Sequence, residues 1–153
     1  MAGVRVGFTS AQCPTGTAAK TILQIVCAAN HRALVKRLCI SFEGVSTTGT
    51  PIMVELLYQS DAGTTPGSAP TGKKINAGDN ETIITTFQAG SAATWAVEPS
   101  AGDIIFSCLV HPQRSKELIL PGMDVPIITS GRLGVRVTAD ASIDCIVSGE
   151  LEE

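Results

Sequence analysis

The sequence predicts an all-β fold: a single antiparallel β-sandwich, jelly-roll-like, of eight to ten short strands. Three observations predict it. Short runs alternate apolar and polar side chains and are bounded by Pro, Gly, Asp or Ser, as strands with one buried face are. Hydrophobic residues make up 44% of the chain but aromatic residues only 4%, so Val, Ile, Leu and Ala carry the apolar content, which suits sheets packed face to face. No segment carries a convincing helical period. The 153 residues fit one domain, 1–153, long enough to bury a core.

In chain order, Val4 to Thr9 reads as a first strand, followed by the loop Cys13-Pro-Thr-Gly16. Ala19 to Ala28 is apolar on both parities, as in a strand buried on much of both faces. Leu34 to Gly44 alternates more clearly. Leu34, Leu38, Ile40 and Phe42 share one face, with Lys36 the misfit, and Val35, Arg37, Cys39, Ser41 and Glu43 share the other. After a Ser/Thr/Gly turn, Ile52 to Ser60 places Ile52, Val54, Leu56 and Tyr58 on one side. The Gly/Pro/Ser/Thr-rich stretch 61–80 is a long loop, either a solvated hairpin tip or an arm that orders against a neighbouring subunit. Thr82 to Phe87 is a further strand. The loop after it holds the only tryptophan, Trp95, expected to plug one end of the core. The last third supplies Ile104 to Val110, two short segments at Leu118 to Leu120 and Val125 to Ile128, and two closing strands. The final one is expected to help build the core. Gly134, inside a strand, signals a bulge or a close backbone approach.

Several function classes fit poorly. A net charge of −3 with scattered Lys and Arg lacks the basic face that nucleic acid requires. No apolar run approaches the roughly 18 residues that span a bilayer, and Met1 to Phe8 has no signal-peptide core, so synthesis in the cytoplasm is expected. No G-x-S-x-G is present, and His31 and His111 lack triad or metal-ligand neighbours, so neither catalysis, metal nor cofactor is expected. His111, before Pro112, should cap a strand end. One Trp and one Tyr make a poor glycan platform. The low charged fraction, 16%, hints at a surface partly covered by a partner.

Five cysteines are an odd number, and none forms a C-x-x-C pair. Parity turns Cys27, Cys108 and Cys145 inward as small buried hydrophobes. Cys13, in a loop, and Cys39, on an outward face, are the expected exposed thiols and the candidate inter-subunit contacts. They could stay reduced, bridge to another chain, or bridge to each other.

Several stretches resemble a group of small structural proteins of tailed bacteriophages. They are Ser41-Phe-Glu-Gly44, Val54-Glu-Leu-Leu57, Val110-His-Pro-Gln113, Leu118-Ile-Leu-Pro-Gly122, Gly131-Arg-Leu-Gly-Val-Arg-Val-Thr-Ala139 and Gly149-Glu-Leu-Glu-Glu153. The resemblance implies a non-enzymatic virion β-sandwich, a capsid decoration or cement protein at the head surface. Its partners would be the major capsid protein and copies of itself, as a trimer or dimer. A neck, tail or fibre-attachment component and a glycan-binding adsorption module are the alternatives. The resemblance carries over no site residues. The high cysteine count departs from the group's pattern and leaves room for covalent cross-linking of the particle.

Overall fold

The computed structural model describes residues 3–44, 49–64, 66–90, 95–120 and 122–153. Among these it forms twelve strands and no helix: β1 (Arg5–Thr9), β2 (Cys13–Pro14), β3 (Lys20–Val26), β4 (Ala33–Phe42), β5 (Ile52–Gln59), β6 (Lys73–Lys74), β7 (Thr86–Ala89), β8 (Ala101–Val110), β9 (Ser115–Ile119), β10 (Val125–Ile127), β11 (Arg132–Thr138) and β12 (Asp144–Glu152). The count exceeds the expected eight to ten because β2 and β6 are two-residue pairings inside segments that read as loop. Most of the Ser/Thr/Gly turn expected after β4 lies outside the described residues.

All pairings are antiparallel, and the strands form two packed sheets. One runs β10-β4-β12-β1-β6, with β2 also on β12 and β9 also on β4; the other runs β7-β3-β11-β5-β8. When β2, β6 and β7 are set aside and β9–β10 is counted as one strand, eight strands remain. In chain order they give sheets 1-8-3-6 and 2-7-4-5, in which the first strand pairs with the last, the second with the seventh, the third with the sixth and the fourth with the fifth. That nesting is the double Greek key of a jelly roll.

Inward side chains of both sheets fill the space between them, among them Val6, Ile40 and Val147 from one sheet and Leu23, Val54 and Val135 from the other. Each such aliphatic burial contributes roughly 1.5–3 kcal/mol. The final strand β12 lies between β1 and β4 and is therefore central, as expected. The alternation of β4 holds only in its second half. Arg37 pairs with Glu150 and Val35 with Leu151, so Lys36 is an extra residue in a bulge. The bulge lets both Val35 and Leu38 bury completely and leaves Leu34 half-buried, reversing the expected faces of Leu34 and Val35.

Gly134 meets its expectation of close approach. A Cβ there would lie 2.5 Å from the Gln59 side-chain carbon Cδ. Gln59 belongs to a polar layer on the outer face of the second sheet. The Gln24 amide donates to Gln59 Oε1 (2.8 Å) and to the Asp61 carbonyl (2.9 Å), and Gln59 Nε2 donates to the Thr21 hydroxyl (3.0 Å). Trp95 is buried, but its indole N–H donates to the Thr21 carbonyl at 2.9 Å, and it stands apart from the cluster between the sheets. It covers one sheet rather than plugging the core.

The 61–80 stretch is a strap across the protein's own body. Thr64 bridges to Val97 and Ser68 to Ala89, and Lys73–Lys74 pair with β1 before a turn in which the Asp79 N–H donates to the Asn76 carbonyl. The strand expected at Thr82 starts only at Thr86. Before it, the Ile84 and Thr85 N–H groups donate to the Glu153 carboxylate at 2.9 and 2.8 Å instead of to a neighbouring strand.

Candidate functional site

The region that departs most from a closed sandwich is β8. Its sequence, Ala101-Gly-Asp-Ile-Ile-Phe-Ser-Cys-Leu-Val110, reads as a core strand, and Ile104, Phe106 and Cys108 were expected inward. The structure corrects this. Ile104 is 51% exposed, Phe106 38% and Leu109 64%, with Ile105 exposed and Cys108 half-buried; only Val110 is fully buried. The reason is position. Among the described residues β8 pairs with β5 on one side only and forms the edge of its sheet. The opposite sheet reaches this edge through β9 and the turn in which the Met123 N–H donates to the Leu120 carbonyl, which leave a gap.

That gap is an apolar groove of about 440 Å³, with Ile105 and Phe106 on one wall and Leu118, Leu120, Met123 and Val125 on the other. Met123 is 64% exposed, and Leu120 is exposed beside it. Paired charges rim the groove: Arg37 with Glu117 at 2.6 Å, and Lys36 with Asp124 at 2.7 Å. These pairs satisfy each other; Lys116 and Glu117 also line the groove, and the rest of its lining is apolar. Apolar area of this kind, contiguous and rimmed by polar residues, marks an interaction surface or a ligand groove.

The other sheet edges are guarded. β6 is two lysines, β10 is three residues containing Pro126, β9 carries Lys116 and Glu117, and the short β7 is bridged by Ser68. Short length, Lys and Pro are the usual protection against edge-to-edge pairing. β8 is ten residues long with Asp103 as its single charge and no Lys or Pro. Its protective devices are two register irregularities, a bulge at Ile105 and a second between Ala101 and Ile104, beyond which Phe106 to Val110 run in regular register with β5.

A second cavity of about 570 Å³ opens at one end of the sandwich, lined by Glu43, Asp140, Asp144, Pro112 and Ile143 among others. Gln12 spans it, its amide donating to Glu43 at 2.7 Å and Asp144 at 3.0 Å. Among the described residues no group of His, Cys, Asp and Glu has the geometry to hold a metal ion.

The expected pair of exposed thiols is corrected in part. Cys13 is completely buried: it lies in β2, directly opposite Cys145, whose thiol donates to the Cys13 carbonyl at 3.3 Å. A two-residue pairing with a strand distant in sequence draws the apparent loop into the core. Cys39 does face outward, half-buried between Ser148 of β12 and Glu117 of β9. Cys13 shares the inward row of Cys145 and Phe42, so Cys13 and Cys39 point to opposite faces and cannot bridge within the chain. Cys27 and Cys145 are buried as expected.

Burial raises all five thiols above their ordinary value, Cys145 to about 12; at Cys39 the Glu117 carboxylate adds to the effect. Each stays protonated near neutrality, so none is an activated nucleophile. His111 ends β8 as expected and accepts the Gln113 N–H on Nδ1 at 3.3 Å. His31 is exposed beside Asn30, which has a positive φ of 64°.

No protein-family model, curated protein or solved structure matches the chain.

Proposed function

We propose that the protein is a non-enzymatic virion component, a capsid decoration or cement protein that binds the major capsid protein on the head surface and associates with copies of itself. The observation that carries this reading is the open apolar edge formed by β8 and the groove beside it. A jelly roll that leaves Ile104, Ile105, Phe106, Leu109, Leu120 and Met123 in water has surface to be covered by protein, and a coat layer covers such surface by repetition. The sequence stretches that resemble phage structural proteins point the same way. The protonated thiols and the mutually bonded residues of the acidic cleft suit a structural role.

A glycan-adsorption role has less support. Trp95 is buried and Tyr58 is half-buried with its hydroxyl bonded to the Pro126 carbonyl at 2.8 Å, so neither offers a stacking platform. The test is cryo-electron microscopy of virions with and without the protein, together with co-sedimentation of purified protein with stripped heads. Decoration predicts saturable binding and many copies spread over the shell. A few copies at one vertex or along a tail would replace this reading with the neck or tail one, and reproducible sugar binding without head binding would replace it with adsorption.

A further inference from the structure

We propose that the open edge takes a second copy of this chain, with β8 of one copy lying antiparallel to β8 of the other across a two-fold axis at Ser107. This deepens the reading above and rests on it only in taking the occupant of the edge to be protein.

The argument begins with the order of residues. On either side of Ser107 stand three apolar residues, Ile104-Ile-Phe106 before it and Cys108-Leu-Val110 after it. Beyond them Asp103 lies at one end and His111 at the other. A second strand laid antiparallel about Ser107 therefore sets Phe106 against Cys108, Ile105 against Leu109 and Ile104 against Val110. It also sets the acid Asp103 against the base His111, twice by symmetry. An isologous contact needs this self-complementarity, and a strand built for a foreign partner has no reason to show it.

The surrounding structure leaves room for the contact. Among the described residues β8 has a strand on one side only, its residues from Ala101 to Ser107 are all exposed, and no lysine, arginine or proline interrupts it. The bulge at Ile105 interrupts the register, so regular pairing falls on Phe106 to Cys108, with Ile105 and Leu109, and beyond them Asp103 and His111, meeting through their side chains. Because Nδ1 of His111 accepts from Gln113, the neutral ring carries its proton on Nε2 and can donate it to the facing carboxylate. Two copies joined this way turn a pair of five-stranded sheets into one continuous sheet. They also bring the exposed wall of each groove, Ile105 and Phe106, under cover.

Three measurements on the full chain test this. Light scattering and native mass spectrometry should report a dimer. Ile105→Lys with Leu109→Lys changes two exposed side chains. It should weaken the dimer ten-fold or more while leaving the circular-dichroism spectrum and melting unchanged. Ser107→Cys in a Cys108→Ser background places two thiols opposite each other across the axis. The azo compound diamide should oxidise them to one S–S bond, its N=N taking up the two electrons and two protons. The expected product is a covalent dimer, absent with Cys108→Ser alone. A monomer at all concentrations, a trimer or larger ring, a dimer indifferent to the two lysines, or no cross-link at position 107 would each overturn the proposal. Binding to stripped heads is read separately. A two-fold dimer that ignores heads removes the decoration reading and leaves this inference standing, whereas a monomer that coats heads does the reverse.

Discussion

Replacing Gly134 with alanine puts a methyl group onto the side chain of Gln59. The added carbon would contact Oε1, lie 2.5 Å from Cδ and 3.0 Å from Nε2 of an amide that is nearly completely buried. In an ordinary strand interior, Gly→Ala stabilises by roughly 0.5–1 kcal/mol, because glycine loses more backbone freedom on folding. Here the methyl must displace the Gln59 amide. That breaks its bonds with Gln24 and Thr21, at about 1 kcal/mol each, and strands at least one buried polar group at a further ~1–3 kcal/mol. After the backbone gain is subtracted, the expected net loss is about 2–4.5 kcal/mol. For a chain of this length that lowers Tm by roughly 4–18 °C. Urea and thermal melts followed by circular dichroism measure it. Adding Gln59→Ala removes the clash, so the double variant should be more stable than the sum of the two single losses predicts, by about 1 kcal/mol. An alanine variant as stable as the parent, or more so, would refute the reasoning, since the sign itself separates a filled site from an open one.

Other expectations follow from the same geometry. Glu153→Gln keeps the side chain's shape but removes the charged acceptor for the Ile84 and Thr85 N–H groups, and should cost about 1–2 kcal/mol, with faster hydrogen exchange at those two amides. Thiol titration in a urea series, with the labelled sites located by mass spectrometry, should show Cys39 reacting in the native state, Cys108 only where the β8 edge is uncovered, and Cys13, Cys27 and Cys145 only on unfolding. Early labelling of Cys13 would contradict its place in the core. Cys145 holds its proton to about 12 when folded against an ordinary value of 9.0, so the folded state binds the proton more tightly. Its contribution is intact below pH 9 and is lost as pH rises toward 12, with a slope of up to about 1.4 kcal/mol per unit. Denaturant melts at stepped alkaline pH on the parent and Cys145→Ala should show that slope flatten in the variant.

Alternation located most of the body. β1, β5, β11 and β12 lie where their periodicity puts them, because each pairs on both sides and covers one face with core. What alternation reports is which side of a strand a residue takes, and it is silent on whether anything covers that side. For that reason Ile104 to Val110 looked like core while forming an open edge. Cys13 failed differently: its two-residue pairing depends on β12, over a hundred residues away, and no local pattern records such a partner. Lys36 was the one misfit on its face and turned out to mark the bulge, so there the signal was present as an anomaly. The strap at 61–80 has no period because its backbone bonds go to isolated bridges, a two-residue pairing with β1 and a turn. The candidate site was legible only in composition, as a long β-rich run without lysine or proline.

The central place of β12 bears on how the protein is made. Strands β1 and β4 do not touch each other as sheet partners; each is joined to the other through residues 144–152. During vectorial synthesis, well over a hundred residues must therefore leave the ribosome with one sheet lacking its middle strand. Such non-local closure slows folding and leaves apolar strand edges open to neighbouring nascent chains. The chain would then depend on chaperones during translation, and pulse-labelled chains truncated before residue 144 should be found protease-sensitive and chaperone-bound.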